Sequence, residues 1–443
     1  MKKTVVIAGT CMVGVTALVA GLSLAQKSSN MMGKWSGVTI QAKLTGGNLY
    51  EPLYARISAW EKATGAKVQI LSKKNHFDMM KEYKADMAAG SVNWCLGSNH
   101  TSFSPQFDDL YTDLTPYFPK DILEGYTPAI IAASTLGKNL QMIPRAQFDV
   151  SATYYQKSLY SSNKNKAEFR AKYRYELKPP KTLQQFKDQA IFFSAPPNLY
   201  GTQYAGKDEA IVGRFFEVLV AEGGQMFNAD NSKSSFNSAA GERALQFFVD
   251  LYKANAVPKG TINYSWDELG QGFASGTIAL DHDWPGWAGF FNDPKASKVA
   301  GNVGVSASVV GPSGKRLGWS GTHGFSVTKQ CANKEAAASL IWYLTNDDAQ
   351  RLESKSGSLP TRPRIWLSIK AAAVVNKDSY RYESLKAFEE TSTGAYPVPQ
   401  TPLWSEAVNK IFPELQSAIL GQKTAKQALT DAAIGADAVL ARK

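Results

Sequence analysis

Short apolar or β-branched runs alternate with helical periodicities along most of the chain, a pattern that predicts an α/β fold. Val38-Thr39-Ile40 reads as a first strand, followed by the glycine-rich loop Thr45-Gly46-Gly47-Asn48. Leu53, Ile57 and Trp60 then recur at helical spacing until Gly65 stops the helix, and Val68-Gln69-Ile70-Leu71 returns to strand. A second helix carries Met79, Tyr83 and Met87 to Gly90; Val92 to Leu96 reads as a third strand, ending in the loop Gly97-Ser98-Asn99. This βαβαβ start predicts one sheet-centred lobe.

The character changes at Met142-Ile143-Pro144-Arg145. Val150 to Leu159 alternates, and helices dominate after it. Thr182 caps a helix with Leu183, Phe186 and Ala190 on one face; Ile211, Phe215 and Leu219 mark another that ends at Gly223-Gly224; Leu245, Phe248 and Leu251 mark a third. These predict a second lobe. Thr277 to Asp281 reads as a strand running into Asp283-Trp284-Pro285-Gly286-Trp287, Val303 to Val310 as a strand leaving that lobe, and Phe325-Ser326-Val327 as another. A helix with Ala337, Ile341 and Leu344, a turn from Gly357 to Pro363 and an alanine-rich helix from Thr424 to Arg442 follow. With no repeat and no low-complexity linker, the lobes are expected to be closely coupled.

The N-terminus refines the setting. Met1-Lys2-Lys3 precedes an uncharged, mostly apolar stretch to Ser23-Leu24-Ala25, the layout of a secretory signal peptide over residues 1–25. The stretch is about the ~20 residues a spanning helix needs, so an uncleaved anchor is the alternative. Cys11 sits inside the run, which argues against lipid anchoring. The remainder is expected in the periplasm or outside the cell. There Cys95 and Cys331 meet an oxidising compartment, and whether they pair is left open. The formal charge of +11, from 49 Lys and Arg against 38 Asp and Glu, is spread without a dense basic block. Nucleic acid is therefore not an expected partner.

Catalytic signatures fail one by one. The chain has no G-x-S-x-G elbow, no H-E-x-x-H, no phosphate loop and no G-x-G-x-x-G. Of four histidines, His76, His100, His282 and His323, only His282 has adjacent acids, Asp281 and Asp283, and no further metal partner can be identified for it. Neither a metal nor a cofactor is expected. A glycosidase needs only two suitably spaced carboxylates, so that class stays as the enzyme alternative, with Glu51, Asp149, Asp281 and Asp283 as the groups to check.

Several stretches together resemble the extracellular solute-binding family 1 receptors of ATP-driven sugar importers, the maltose- and glycerol-3-phosphate-binding type. They are Trp60 to Val68, Asp113-Leu114-Thr115-Pro116-Tyr117, Tyr154-Tyr155-Gln156-Lys157-Ser158-Leu159, Phe236-Asn237-Ser238, Phe273-Ala274-Ser275-Gly276, Asn333 to Ala337, and Leu359-Pro360-Thr361-Arg362. Each is weak alone; their order and spacing carry the resemblance. It implies a periplasmic-binding-protein-like type II fold, with two α/β lobes, interleaved chain crossings and a ligand cleft between them. One lobe would comprise 36–144 and 303–350, the other 145–302 and 351–443. It further implies a monomeric receptor, not an enzyme, that closes on a small carbohydrate and delivers it to the permease subunits of an ABC transporter. A sugar phosphate or sugar acid is the alternative solute.

A sugar offers apolar C–H faces and a ring of hydroxyls, so flat aromatic surfaces and planar polar groups are the expected contacts. Trp284, Trp287 and Trp319, in turn-like segments after predicted strands, are the aromatic candidates. Asn48, Ser98, Asn99, Arg145, Asp149, Asp283 and Arg362 are the polar ones. Gly318 and Gly321 would offer main-chain N–H groups to a closely approaching ligand.

Overall fold

The computed structural model describes residues 31–47 and 50–442, so the candidate Asn48 and the signal segment 1–25 lie outside the described residues. Ten strands are described: β1 (Thr39–Thr45), β2 (Lys67–Lys74), β3 (Leu96–His100), β4 (Thr135–Leu136), β5 (Asn139–Leu140), β6 (Ile143–Val150), β7 (Ala152–Gln156), β8 (Leu280–Asp283), β9 (Val303–Ser306) and β10 (Ser320–Val327). The first lobe is built on a sheet ordered β2-β1-β3-β10-β6, and the second on a smaller sheet ordered β8-β7-β9. No described helix is long and apolar enough to cross a membrane.

β1 shows why the first sheet forms. Ile40, Ala42 and Leu44 alternate on one face and are buried, which fixes the register. Lys43 faces the other way and is also buried, because the helix His76–Ala88 supplies Glu82 and Asp86 at 2.5 and 2.6 Å from its ammonium. Asn75 caps that helix by accepting the Asp78 amide hydrogen bond.

The third strand lies further along than the apolar pattern suggests. It runs Leu96–His100, so Ser98 and Asn99 belong to the strand and not to a loop. Its polar side chains are satisfied internally. The Ser98 hydroxyl accepts from the Thr45 amide at 2.9 Å, and the Asn99 amide donates to the Ser326 and Ser104 hydroxyls at 3.0 and 3.2 Å.

The chain's passage between lobes also differs from the expected boundaries. β6 stays in the first sheet to Val150, so the exit is at Ser151 instead of Arg145. β9 pairs with β7, and Val309, Leu317 and Trp319 are buried in the second lobe's larger core. The return to the first sheet is therefore at Ser320, not Val303. The helix Asp347–Ser354 still packs on the first lobe, where its Glu353 meets Arg145. A third crossing follows at Gly357–Arg362, where the Leu359 and Thr361 carbonyls accept from the Phe148 and Thr127 amides.

The second lobe is organised around the helix Asp208–Ala221, which is buried along nearly its whole length. It packs among Ala239–Lys253 and Trp404–Ile419. Glu209 lies inside this bundle, 7% exposed, with Trp404 Nε1–H donating to it at 2.8 Å. Burial pushes its carboxyl from 4.5 up to about 7, with the Trp404 bond opposing.

A carboxyl raised on folding stabilises fully below its unfolded value and loses that contribution as pH rises through its folded value. Glu209→Gln should therefore leave stability nearly unchanged at pH 4 to 5 and raise it by up to roughly 3 kcal/mol near pH 8, read from urea midpoints at the two pH values. The first lobe carries a disulfide between Cys95 and Cys331, 236 residues apart, joining the entry of β3 to the turn after β10. Replacing both cysteines by alanine should cost about 2–4 kcal/mol in the same urea titration; an unchanged midpoint would show that the bond contributes nothing.

Candidate functional site

Two charges one turn apart interrupt the apolar helix Asp208–Ala221, and both are buried: Arg214 is 3% exposed and Glu217 0%. Arg214 Nη1 donates to Glu217 Oε2 at 2.7 Å and to Ser151 Oγ at 2.9 Å, and Nη2 lies 3.7 Å from Asp283 Oδ1. Glu217 Oε1 accepts the Trp319 amide at 3.2 Å and faces His282 Nε2 at 3.3 Å. Burial opposes ionisation of Glu217, but Arg214 and His282 outweigh it and hold the carboxyl below its ordinary value. Asp281 and Asp283 go the other way. Burial raises Asp281 to about 7 against its bond from Gln203, and burial together with the neighbouring Asp281 raises Asp283 well above the ordinary carboxylate range.

Three indoles close over this group. Trp266, Trp284 and Trp319 have ring centroids 5.4, 5.2 and 6.0 Å apart in pairs. The Arg214 guanidinium lies 4.8 Å from the Trp284 ring and 5.1 Å from the Trp266 ring, within cation–π range. Trp319 is buried and fits because residue 213 is glycine; a Cβ there would sit 2.1 Å from its ring. Trp266 and Trp284 are half-buried. The capping box of Ser265 and Glu268 sets Trp266 at the start of its helix, and the Tyr154 hydroxyl donates to the Trp284 carbonyl at 2.9 Å.

β10 carries the chain from this cluster to a second one. Pairing sets Ser320 opposite Val150 and Gly321 opposite Asp149, and a strand's two-residue period puts Trp319, Gly321 and His323 on one face. Asp149 Oδ2 lies 3.1 Å from His323 Nε2 and 3.7 Å from His100 Nε2. Burial would raise Asp149, but the two imidazoles outweigh it and hold the carboxyl at about 2. Gly321 makes room for His100, whose Nε2 would be 2.5 Å from a Cβ there.

The sequence candidates thus divide. Asp283, Trp284 and Trp319 meet in the indole cluster, and Asp149 and Gly321 lie along the adjoining strands. Gly318 is nearby, with its amide donating to the Tyr396 hydroxyl at 3.2 Å. Trp287 instead packs in a core, stacked on Phe291 and against Gly270. Arg145 is committed to Glu353 and stacks on Tyr50. Arg362 lies 4.0 Å from the Tyr126 ring and 3.8 Å from Asp347. Ser98 and Asn99 serve the sheet interior. Of the carboxylates to check, Glu51 is exposed and paired with Lys73 at 2.7 Å. A cavity of about 210 Å³ between Gly289, Leu359, Tyr380 and Arg381 lies apart from both clusters. Sequence reading missed Arg214, Glu217 and Trp266. The signal for the first two was there: ionisable residues three apart in an otherwise apolar helix.

Comparison with known proteins identifies the family and the fold. Residues 45–351 match the model of the bacterial extracellular solute-binding protein family. A probable ABC transporter-binding protein of Deinococcus radiodurans is 25% identical over 307 residues, covering 68% of this chain and 70% of that one. A maltose-bound protein of T. maritima has a TM-score of 0.77 at 24% identity, covering 90% of this chain and 98% of that one. A ribitol-bound ABC transporter solute-binding protein of Agrobacterium radiobacter has a TM-score of 0.78 at 18% identity, covering 92% and 100%. The fold is that of type II periplasmic binding proteins, two lobes with a cleft between them, and by the extent of the family match the chain belongs to the bacterial extracellular solute-binding proteins.

Proposed function

We propose that the chain is the substrate-binding receptor of an ABC importer, that its solute is a neutral sugar or polyol, and that hinge closure between the lobes buries that solute for delivery to the permease. The observation that carries this reading is the convergence of Trp266, Trp284 and Trp319 around Arg214 beside two of the chain crossings. Indole faces match the C–H face of a pyranose or the carbon chain of a polyol, and neighbouring polar groups suit its hydroxyls. The maltose and ribitol in the two similar structures agree with this class. Asp283, Trp284 and Trp319 are the members of the candidate set we retain beside the solute, with Trp266 added.

Charge balance favours a neutral solute over a sugar phosphate or sugar acid. Arg214 is matched by Glu217, and the two other arginines considered for an anion are spent on Glu353 and on Tyr126 with Asp347. No uncompensated guanidinium then faces the indoles among the described residues. A receptor reading also needs no catalytic carboxylate pair, and the chain's family is one of binding proteins. Export to the periplasm or cell exterior follows from the same role.

Titration calorimetry against a panel of mono- and disaccharides and polyols tests the class. Trp284→Ala and Trp266→Ala, at half-buried positions, should each weaken the best ligand by on the order of 2 kcal/mol, about thirtyfold. Full affinity in both would remove the indoles from the site. Phosphorylating that ligand should weaken binding; a tighter sugar phosphate would overturn the neutral assignment. Enzyme-dependent release of reducing ends from glycosides would displace the receptor reading altogether.

A further inference from the structure

Three of the four histidines in the chain, His76, His100 and His323, gather at one end of the first sheet around Asp149. The His100 and His323 rings are 4.5 Å apart, and the His76 ring is 5.4 and 5.1 Å from them. One ligand atom each from His100, Asp149 and His323 lies within 4.8 Å of the others. Three of these residues stand on paired strands. His100 of β3 is directly opposite His323 of β10, and Asp149 of β6 is opposite Gly321 on the other edge of β10. Positions fixed by sheet pairing are rigid enough to hold a defined coordination geometry.

His76, from the start of the helix after β2, stands beside these three but outside the set within 4.8 Å, and would join a shared ion by moving its ring. Its ring packs against Phe103 at 4.9 Å and Phe77 at 6.3 Å, and both ring nitrogens are buried with no hydrogen-bond partner among the described residues. A buried nitrogen left unpaired is costly, and coordination would relieve one of the two.

We propose that His100, Asp149 and His323, with His76 as fourth donor, form a binding site for a divalent transition-metal ion. Imidazole and carboxylate donors in this number suit Zn²⁺ or Co²⁺ better than Mg²⁺ or Ca²⁺, which prefer all-oxygen shells. Donor atoms around a tetrahedral zinc are roughly 3.3 Å apart. The 3.1 and 3.7 Å separations from Asp149 to the two histidines are already near that value. Binding has two identifiable costs. Coordination through Nε2 displaces the protons with which His323 and His100 face the Asp149 carboxylate. His100 Nδ1 accepts from the Ser102 amide at 3.1 Å, and coordination through Nε2 leaves the ring proton on Nδ1, so that bond is given up. The site does not depend on the identity of the solute.

Tag-free protein, stripped with a chelator, is titrated with Co²⁺ and then Zn²⁺. One equivalent of cobalt should produce the intense visible bands of a tetrahedral ion, and zinc should displace it. Asp149→Asn and His323→Ala should each weaken cobalt and zinc binding at least about tenfold. The near-isosteric Asp149→Asn keeps the test readable where loss of an imidazole disturbs the sheet. Absence of binding for both metals, or stoichiometric binding that both variants retain, would overturn the proposal.

Discussion

The antiparallel pairing of β6 with β10 is the constraint on which the rest of this molecule depends. Both strands end the first sheet at the same level, with Val150 opposite Ser320, and both continue directly into the second lobe. Whatever lies on or beside this pair is therefore positioned by two lobes at once. The register holds Asp149 against Gly321, which leaves space for His100, and it delivers Trp319 to the far cluster two residues earlier. Between Thr322 and Gly324 the partner on β6 moves from Phe148 to Pro144, so β6 carries two extra residues there. That irregularity includes Arg145, whose side chain is taken up by Glu353 from the helix Asp347–Ser354, which in turn braces the third crossing.

The second lobe answers with buried charge. An arginine inside an apolar helix is tolerable only where its donors are met. Here Glu217, one turn later, and Ser151, at the crossing itself, meet Nη1, while Nη2 has, among the described residues, only the Asp283 carboxyl at 3.7 Å, and the indoles of Trp266 and Trp284 cover the guanidinium face. The cluster is thus a means of orienting three aromatic rings with groups that are themselves locked by hydrogen bonds. Truncating Arg214 would leave Glu217 buried without its main counter-charge, so the same residue serves site shape and core stability.

Much of the architecture was legible because burial writes a period into the chain. Ile40, Ala42 and Leu44, or Leu245, Phe248 and Leu251, need no context to be read. β3 was displaced because Gly97 to His100 is polar in sequence and buried in structure; nothing local shows that Ser104, Ser326 and Thr45 will satisfy it. Trp284 and Trp319 were found because a tryptophan in a turn after a strand is an unusual expenditure of apolar surface. Trp287 has the same local context, and only packing against Gly270 and Phe291 distinguishes it. Arg145 and Arg362 looked available as anion binders because their partners, Glu353 and Asp347, are remote or differently oriented in sequence. The histidine cluster was invisible for the same reason: residues 76, 100 and 323 become neighbours only through sheet order.

The contact between Arg214 and Ser151 ties the site to motion in the proposed receptor. Closure must change dihedral angles where the chain crosses between lobes, at Ser151, around Trp319-Ser320 and within Gly357–Arg362. A ligand can favour a closed state only by the difference in its affinity for closed and open forms. Here one crossing residue accepts a hydrogen bond from the arginine beneath the indoles, and the residue before another is itself one of those indoles. A solute resting on Trp284 or Trp319, as proposed, would therefore act on the geometry of the crossings directly, with no relay through the body of either lobe.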